Sequence, residues 1–152
     1  MTPDTGFIAG SALVAAFINE HEDAILRGEY LVPLRFEGQP FLGGSSFNEL
    51  EVWNAPGIQN PEARHAFALN ACNGCHSAET LTGFLHIGPR DVGASAPLSR
   101  FLLGMAIPDP VTGEVRVLND LQRRKEDLEH LACDCDGDSE CTFVRRAYSR
   151  AH

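Results

Sequence analysis

The chain has 152 residues, 43% hydrophobic and 22% charged, with 14 glycines and 9 prolines, which suits one globular domain and excludes a disordered or collagen-like chain. A formal charge of −9 repels phosphate backbones and excludes general nucleic-acid binding. The longest uncharged apolar run, Gly6 to Ile18, falls short of the roughly 20 residues that span a bilayer, so no transmembrane segment is expected.

Ser11 is placed to cap a first helix that reaches about Arg27 and stops at Gly28. Val14, Phe17, Ile18, His21 and Ile25 make its apolar stripe, with His21 as a packed histidine. Residues 30–36 and 39–42 alternate like strands around Glu37-Gly38 and predict a small hairpin. A loop follows over 43–57, with Trp53 pinning it to the core. Asn60 and Pro61 open a second helix expected to run through Ala71 into Cys72–His76. Residues 77–95 read as irregular, and a short helix is expected over Leu98–Leu103. After the turn Pro108-Asp109-Pro110, Val115–Val117 reads as a brief strand. A third substantial helix runs from a cap at Asn119 or Asp120 to about Leu131, and a further helical turn or two is expected after Cys141. The expected fold class is mainly α with a minor β hairpin. Within one domain, residues 1–59 form a helix-and-hairpin appendage, 60–132 the core and 133–152 a cysteine-containing tail.

Five cysteines in so short a chain lean toward an oxidising compartment. The acidic start, Met1-Thr2-Pro3-Asp4, lacks the basic region of an export signal. Together these predict a mature form, or a piece of a longer exported protein of the bacterial periplasm or exterior.

Cys72-Asn73-Gly74-Cys75-His76 carries the chemistry. Cysteines three apart on a helical turn can reach the two vinyl groups on one porphyrin edge, and the following histidine can donate a ring nitrogen to the iron. From the chain's own composition roughly 0.006 such motifs are expected by chance. Two other readings stand beside it: a redox dithiol, and a zinc site built from Cys72, Cys75, His76 and His86. Adjacent Cys75 and His76 project about 100° apart on a helix, which makes convergence on one small ion awkward.

Residues 60–132 resemble the single-haem c-type cytochromes, in which a helix leads into C-x-x-C-H and a Gly-Pro loop and further helices follow. Here these parts are Pro61–Ala71, Cys72–His76, Gly88-Pro89, and Leu98–Leu103 with Asn119–Leu131. The chain is also similar to an uncharacterised domain of secreted bacterial proteins built around CNGCH and FLH. The resemblance implies one covalent haem c in a small helical core, Cys72 and Cys75 as attachment points, and His76 as proximal ligand. It implies an electron carrier more than a catalyst. The acidic charge would steer it to a basic redox partner.

Two residues compete for the distal side of the iron. His86 has apolar flanks, and its 10-residue separation from His76 spans about 33 Å when extended, enough to pass around a macrocycle. Met105 lies between two expected helices, where the cytochrome family keeps its methionine. His65 shares a helix face with Leu69, Cys72 and His76, about 16 Å along the axis from His76, and reads as a core or haem-edge contact. Arg90 or Arg100 could pair with a propionate. An open sixth position would instead give a haem that binds small ligands or reduces peroxide. Without haem, the chain would be a zinc- or disulfide-stapled interaction module. The second group, His130, Cys133, Cys135 and Cys141, admits a disulfide, a Cys3His zinc site, or a calcium loop through Asp134, Asp136, Asp138 and Glu140.

Overall fold

A computed structural model describes residues 2–8, 10–43 and 51–133. Ser11 caps α1 (Ala12–Glu20), its side chain accepting from the Val14 N–H. The helix expected to continue to Arg27 breaks at His21, beyond which α2 (Glu22–Arg27) starts. Both the backbone N–H and ring Nδ1 of His21 bond the Phe17 carbonyl, and the imidazole stacks on the Phe17 ring at 4.4 Å. That local competition for one carbonyl accompanies the break. Gly28, in the left-handed region at φ 68°, closes α2.

The expected first hairpin is present but short. Strands β1 (Arg35–Phe36) and β2 (Gln39–Pro40) pair antiparallel across Glu37-Gly38, both at positive φ. The second helix, α3 (Pro61–Leu69), starts where Asn60 and Pro61 place it: the Asn60 side chain accepts from the N–H groups of Glu62 and Ala63. It does not run through the cysteines. The N–H groups of Asn70 and Ala71 bond back three residues, to Phe67 and Ala68, and this tightened turn ends the helix. The chain then re-enters helical geometry as a π turn, Gly74–Ala78, with the Glu79 N–H on the Gly74 carbonyl.

Downstream, α4 (Arg100–Leu103) leads into β3 (Met105–Pro108), which pairs antiparallel with β4 (Val115–Leu118). Sequence reading found β4 and missed β3, because Pro108 and Gly104 mask a four-residue strand. Met105 therefore sits on a strand paired with Leu118 rather than in a connection between helices. Helix α5 (Asp120–Cys133) follows. The architecture is accordingly mixed, small helices with two antiparallel hairpins, rather than clearly mainly α. Among the described residues no helix is long and apolar enough to cross a membrane. The expectations for the pairing of the Cys133, Cys135 and Cys141 thiols, for the acidic calcium-like loop and for the helical tail lie outside the described residues.

Two apolar clusters share α3. The larger centres on Phe17, which packs on Phe41 at 4.9 Å, on Phe36 edge-on at 5.2 Å, and on Tyr30 and Phe67 at about 6 Å. Trp53, fully buried as the sequence suggested, lies edge-on to Phe67 and donates its Nε1–H to the Asn73 Oδ1 at 2.8 Å. The smaller cluster is Cys75, Phe101, Leu102, Ile107 and Leu118, with Leu69 and Met105 packed against it. The Cys72–His76 segment thus touches both cores, through Asn73 on one side and Cys75 on the other.

Gly74 is required by that placement. A Cβ there would lie 2.0 Å from the Ala68 carbonyl oxygen, on backbone that cannot swing aside. Gly74→Ala should cost about 1–3 kcal/mol, read from the urea midpoint. Gly83→Ala, where a Cβ meets nothing within 4 Å, should stay within about 0.5 kcal/mol of the parent.

Candidate functional site

Cys72 and Asn73 enter the π turn and Cys75 and His76 lie within it. Its carbonyls are satisfied by side chains: Ser77 Oγ donates to the Asn73 carbonyl and Thr80 Oγ1 to the Cys75 carbonyl, each at 2.8 Å. Such π insertions are frequent at functional sites because they re-aim side chains that an α-helix would spread around its surface. Cys72 is half-buried and Cys75 is 0% exposed. Cys75 Sγ lies 3.5 Å from His86 Nε2.

Both candidate histidines are held by the same kind of contact. His76 Nδ1–H donates to the Phe84 carbonyl at 2.6 Å, which fixes the tautomer and leaves Nε2 with its lone pair free. His86 Nδ1 is paired with Ser99 Oγ at 2.9 Å, which turns its Nε2 toward Cys75. The two imidazoles stack at 4.7 Å, with Phe84 on His76 at 5.0 Å and Phe101 near His86 at 4.8 Å. An oxygen partner on one ring nitrogen, leaving the other for ligation, is the usual support of a metal-binding histidine.

The segment that carries His86 closes on itself. Gly88 N–H bonds the Pro97 carbonyl and Ser99 N–H bonds the His86 carbonyl, both at 2.8 Å, around an Ile87–Leu98 bridge. Gly88 is needed here, since a Cβ would meet Pro97 Cγ at 2.6 Å. Phe84, Leu85 and Ile87 on this segment and Leu103 beyond it are each more than half exposed.

The sequence-derived set is therefore partly assembled. Cys75, His76 and His86 come together, and Met105 belongs to the cluster that buries Cys75. Arg90 Nη1 donates to the Ala94 carbonyl within its own loop, and exposed Arg100 opens α4. His21 belongs to the Phe17 stack.

Burial, with Asp120 and Cys72 adding to it, pushes the Cys75 thiol up to about 12. Burial and the neighbouring His76 hold the His86 imidazole below its ordinary value. The pair is thus a neutral thiol beside a neutral imidazole at pH 7, not the ion pair of an activated nucleophile. No three ligand atoms of Cys72, Cys75, His76 and His86 lie within 4.8 Å of one another, so these four do not form a ready zinc cage.

One feature escaped sequence reading altogether. Arg64, 1% exposed, places Nη2 at 2.7 Å from Glu79 and 2.8 Å from Asp109, and Nη1 at 2.9 Å from Glu79. Arg116 bonds Asp109 through Nε at 2.7 Å and grips Glu62 with both terminal nitrogens. His65, expected as a core or haem-edge contact, donates Nδ1–H to Glu79. The available signal was Arg64 itself, on the same helical stripe as buried Phe67 and Ala68. His65, Glu79 and Asp109 bring three ligand atoms within 4.8 Å, the only such trio among the described residues. Two guanidiniums already hold those carboxylates, so the positive charge a metal would supply is in place.

Comparison with family models, with curated proteins and with solved structures gives no match for this chain.

Replacing Arg64 with Met leaves buried Glu79 with only His65 among these partners and takes one of two guanidiniums from Asp109, and should cost about 3–5 kcal/mol in urea unfolding. Burial alone would raise the Asp109 carboxyl, but N–H bonds from Thr112 and Val111 and the guanidiniums of Arg116 and Arg64 outweigh it and hold it well below the usual range. Its contribution to stability is complete above about pH 5 and drains as the pH falls through the acid range. Asp109→Asn should be less stable than the parent at pH 7, and the gap should narrow in urea titrations at about pH 3.

Proposed function

We propose that the chain is a c-type cytochrome domain that carries one covalent haem and passes single electrons. The observation that carries this reading is the pinning of His76: the Phe84 carbonyl holds Nδ1–H and leaves the lone pair of Nε2 for a metal, beside two unpaired cysteines. The donor set fits haem c, with Cys72 and Cys75 as thioether sulfurs and His76 as proximal ligand. The exposed apolar side chains of Phe84, Leu85, Ile87 and Leu103 beside the stacked imidazoles suit the apolar edge of a macrocycle. When bound, haem would supply a one-electron iron couple.

His86 is the preferred distal ligand, because its segment lies beside His76, within reach of the opposite face once the ring swings off Cys75. Met105 is the alternative, from the cluster around Cys75. Two imidazoles would set a lower potential than histidine with methionine. A filled sixth position favours an electron carrier over a peroxide or small-ligand site. The net charge of −9 suits a basic redox partner, met in a small and weak encounter. Covalent haem also accords with the exported, oxidising setting that the cysteine content suggests.

Protein made together with a haem-ligation system should be coloured and give the pyridine haemochrome of one bis-thioether haem per chain. Trp53, the single tryptophan, bonds Asn73 between the two cysteines, so its emission should fall on loading. A colourless product without iron overturns the reading. His86→Ala should shift the Soret and visible bands, and unchanged bands assign the distal position elsewhere. A thioether-to-iron charge-transfer band in the oxidised protein selects Met105.

A further inference from the structure

The two cysteines of the motif are not equivalent. Cys75 is fully buried, its Sγ against His86 Nε2 and its surroundings the side chains of Phe101, Leu102, Ile107 and Leu118. Cys72 is half-buried, at the start of the turn. The cover over Cys75 is itself secured: His86 is bonded to Ser99 and stacked on His76, and its segment is closed by the Gly88–Pro97 and Ser99–His86 backbone bonds.

We propose that His86 masks the Cys75 thiol in the haem-free chain, so that the thioether bonds form in a fixed order, Cys72 first and Cys75 second. This rests on the haem reading. Each attachment is an addition: the S–H bond breaks, sulfur bonds the inner vinyl carbon, and the hydrogen goes to the terminal carbon as the C=C becomes single. No electrons are supplied or removed. The sulfur must reach the vinyl carbon: Cys72, only half-buried, is the more open of the two, and Cys75 is closed off while His86 and its loop lie over it. The first bond tethers the macrocycle beside the turn and makes the second addition intramolecular, raising its effective concentration. The stacked imidazoles point the same way. Ligands on opposite faces of one iron meet it from two sides, whereas His76 and His86 lie ring on ring. His86 must therefore leave its place over Cys75 before it can serve as distal ligand.

The test combines labelling and haem loading. In wild-type protein made without a haem-ligation system, N-ethylmaleimide under native conditions should modify Cys72 at least about tenfold faster than Cys75, read by peptide mass spectrometry. Ser99→Ala, which keeps the ring but removes its anchor, should accelerate labelling of Cys75 and not of Cys72; His86→Ala should do so more strongly. With the ligation system present, Cys75→Ser should carry a single-thioether haem through Cys72, and Cys72→Ser should carry little. Equal labelling of the two thiols, or equal loading of the two variants, overturns the order while a wild-type haemochrome upholds the haem reading. A wild-type chain without haem overturns both.

Discussion

The arrangement depends on one buried guanidinium. Arg64 lies on the inward face of α3 and holds Glu79, the residue directly after the π turn, together with Asp109, in the turn of the β3–β4 hairpin. Three stretches far apart in sequence are thereby fixed by one side chain. A charge in that position is tolerated because two carboxylates face it and because the Asp109 oxygens are also bonded by Val111 and Thr112 N–H and by Arg116. The exit of the cysteine motif is consequently as firmly placed as its entry, where Asn73 meets Trp53.

From that frame the motif gains its chemistry. A π turn between two anchored ends sets Cys75 and His76 against the segment that carries His86, which an uninterrupted α3 would not do. The Phe84 carbonyl then holds Nδ1–H of His76, and Ser99 Oγ pairs with Nδ1 of His86. A neutral Cys75 thiol beside a neutral His86 imidazole is not the ion pair of an activated nucleophile.

Local signals were legible where the physics is local. Ser11, Asn60 with Pro61, and Gly28 marked helix ends because capping needs only neighbouring residues. The break at His21 and the stop of α3 at Leu69 were hidden because a histidine ring and a tightened turn make them with no Gly or Pro to mark the place, and β3 is a short pairing between Gly104 and Pro108. Cys72, Cys75, His76 and His86 could be named from spacing and apolar flanks, but the bonds that orient them join residues 8 to 13 positions apart. The ion network was illegible for a stronger reason: Arg64 and Asp109 are 45 residues apart, and a charged residue in an amphipathic pattern usually marks the solvent side.

The small pairing around Ile87 and Leu98 has a mechanical consequence. A loop already closed by its own backbone bonds would move as a panel, pivoting at its two roots, rather than as loose chain. Its conformational entropy is surrendered during folding, so swinging His86 from one position to another demands little further ordering. Any displacement of the histidine would carry this plate with it, and the plate's stiffness would bound the directions the ring could take.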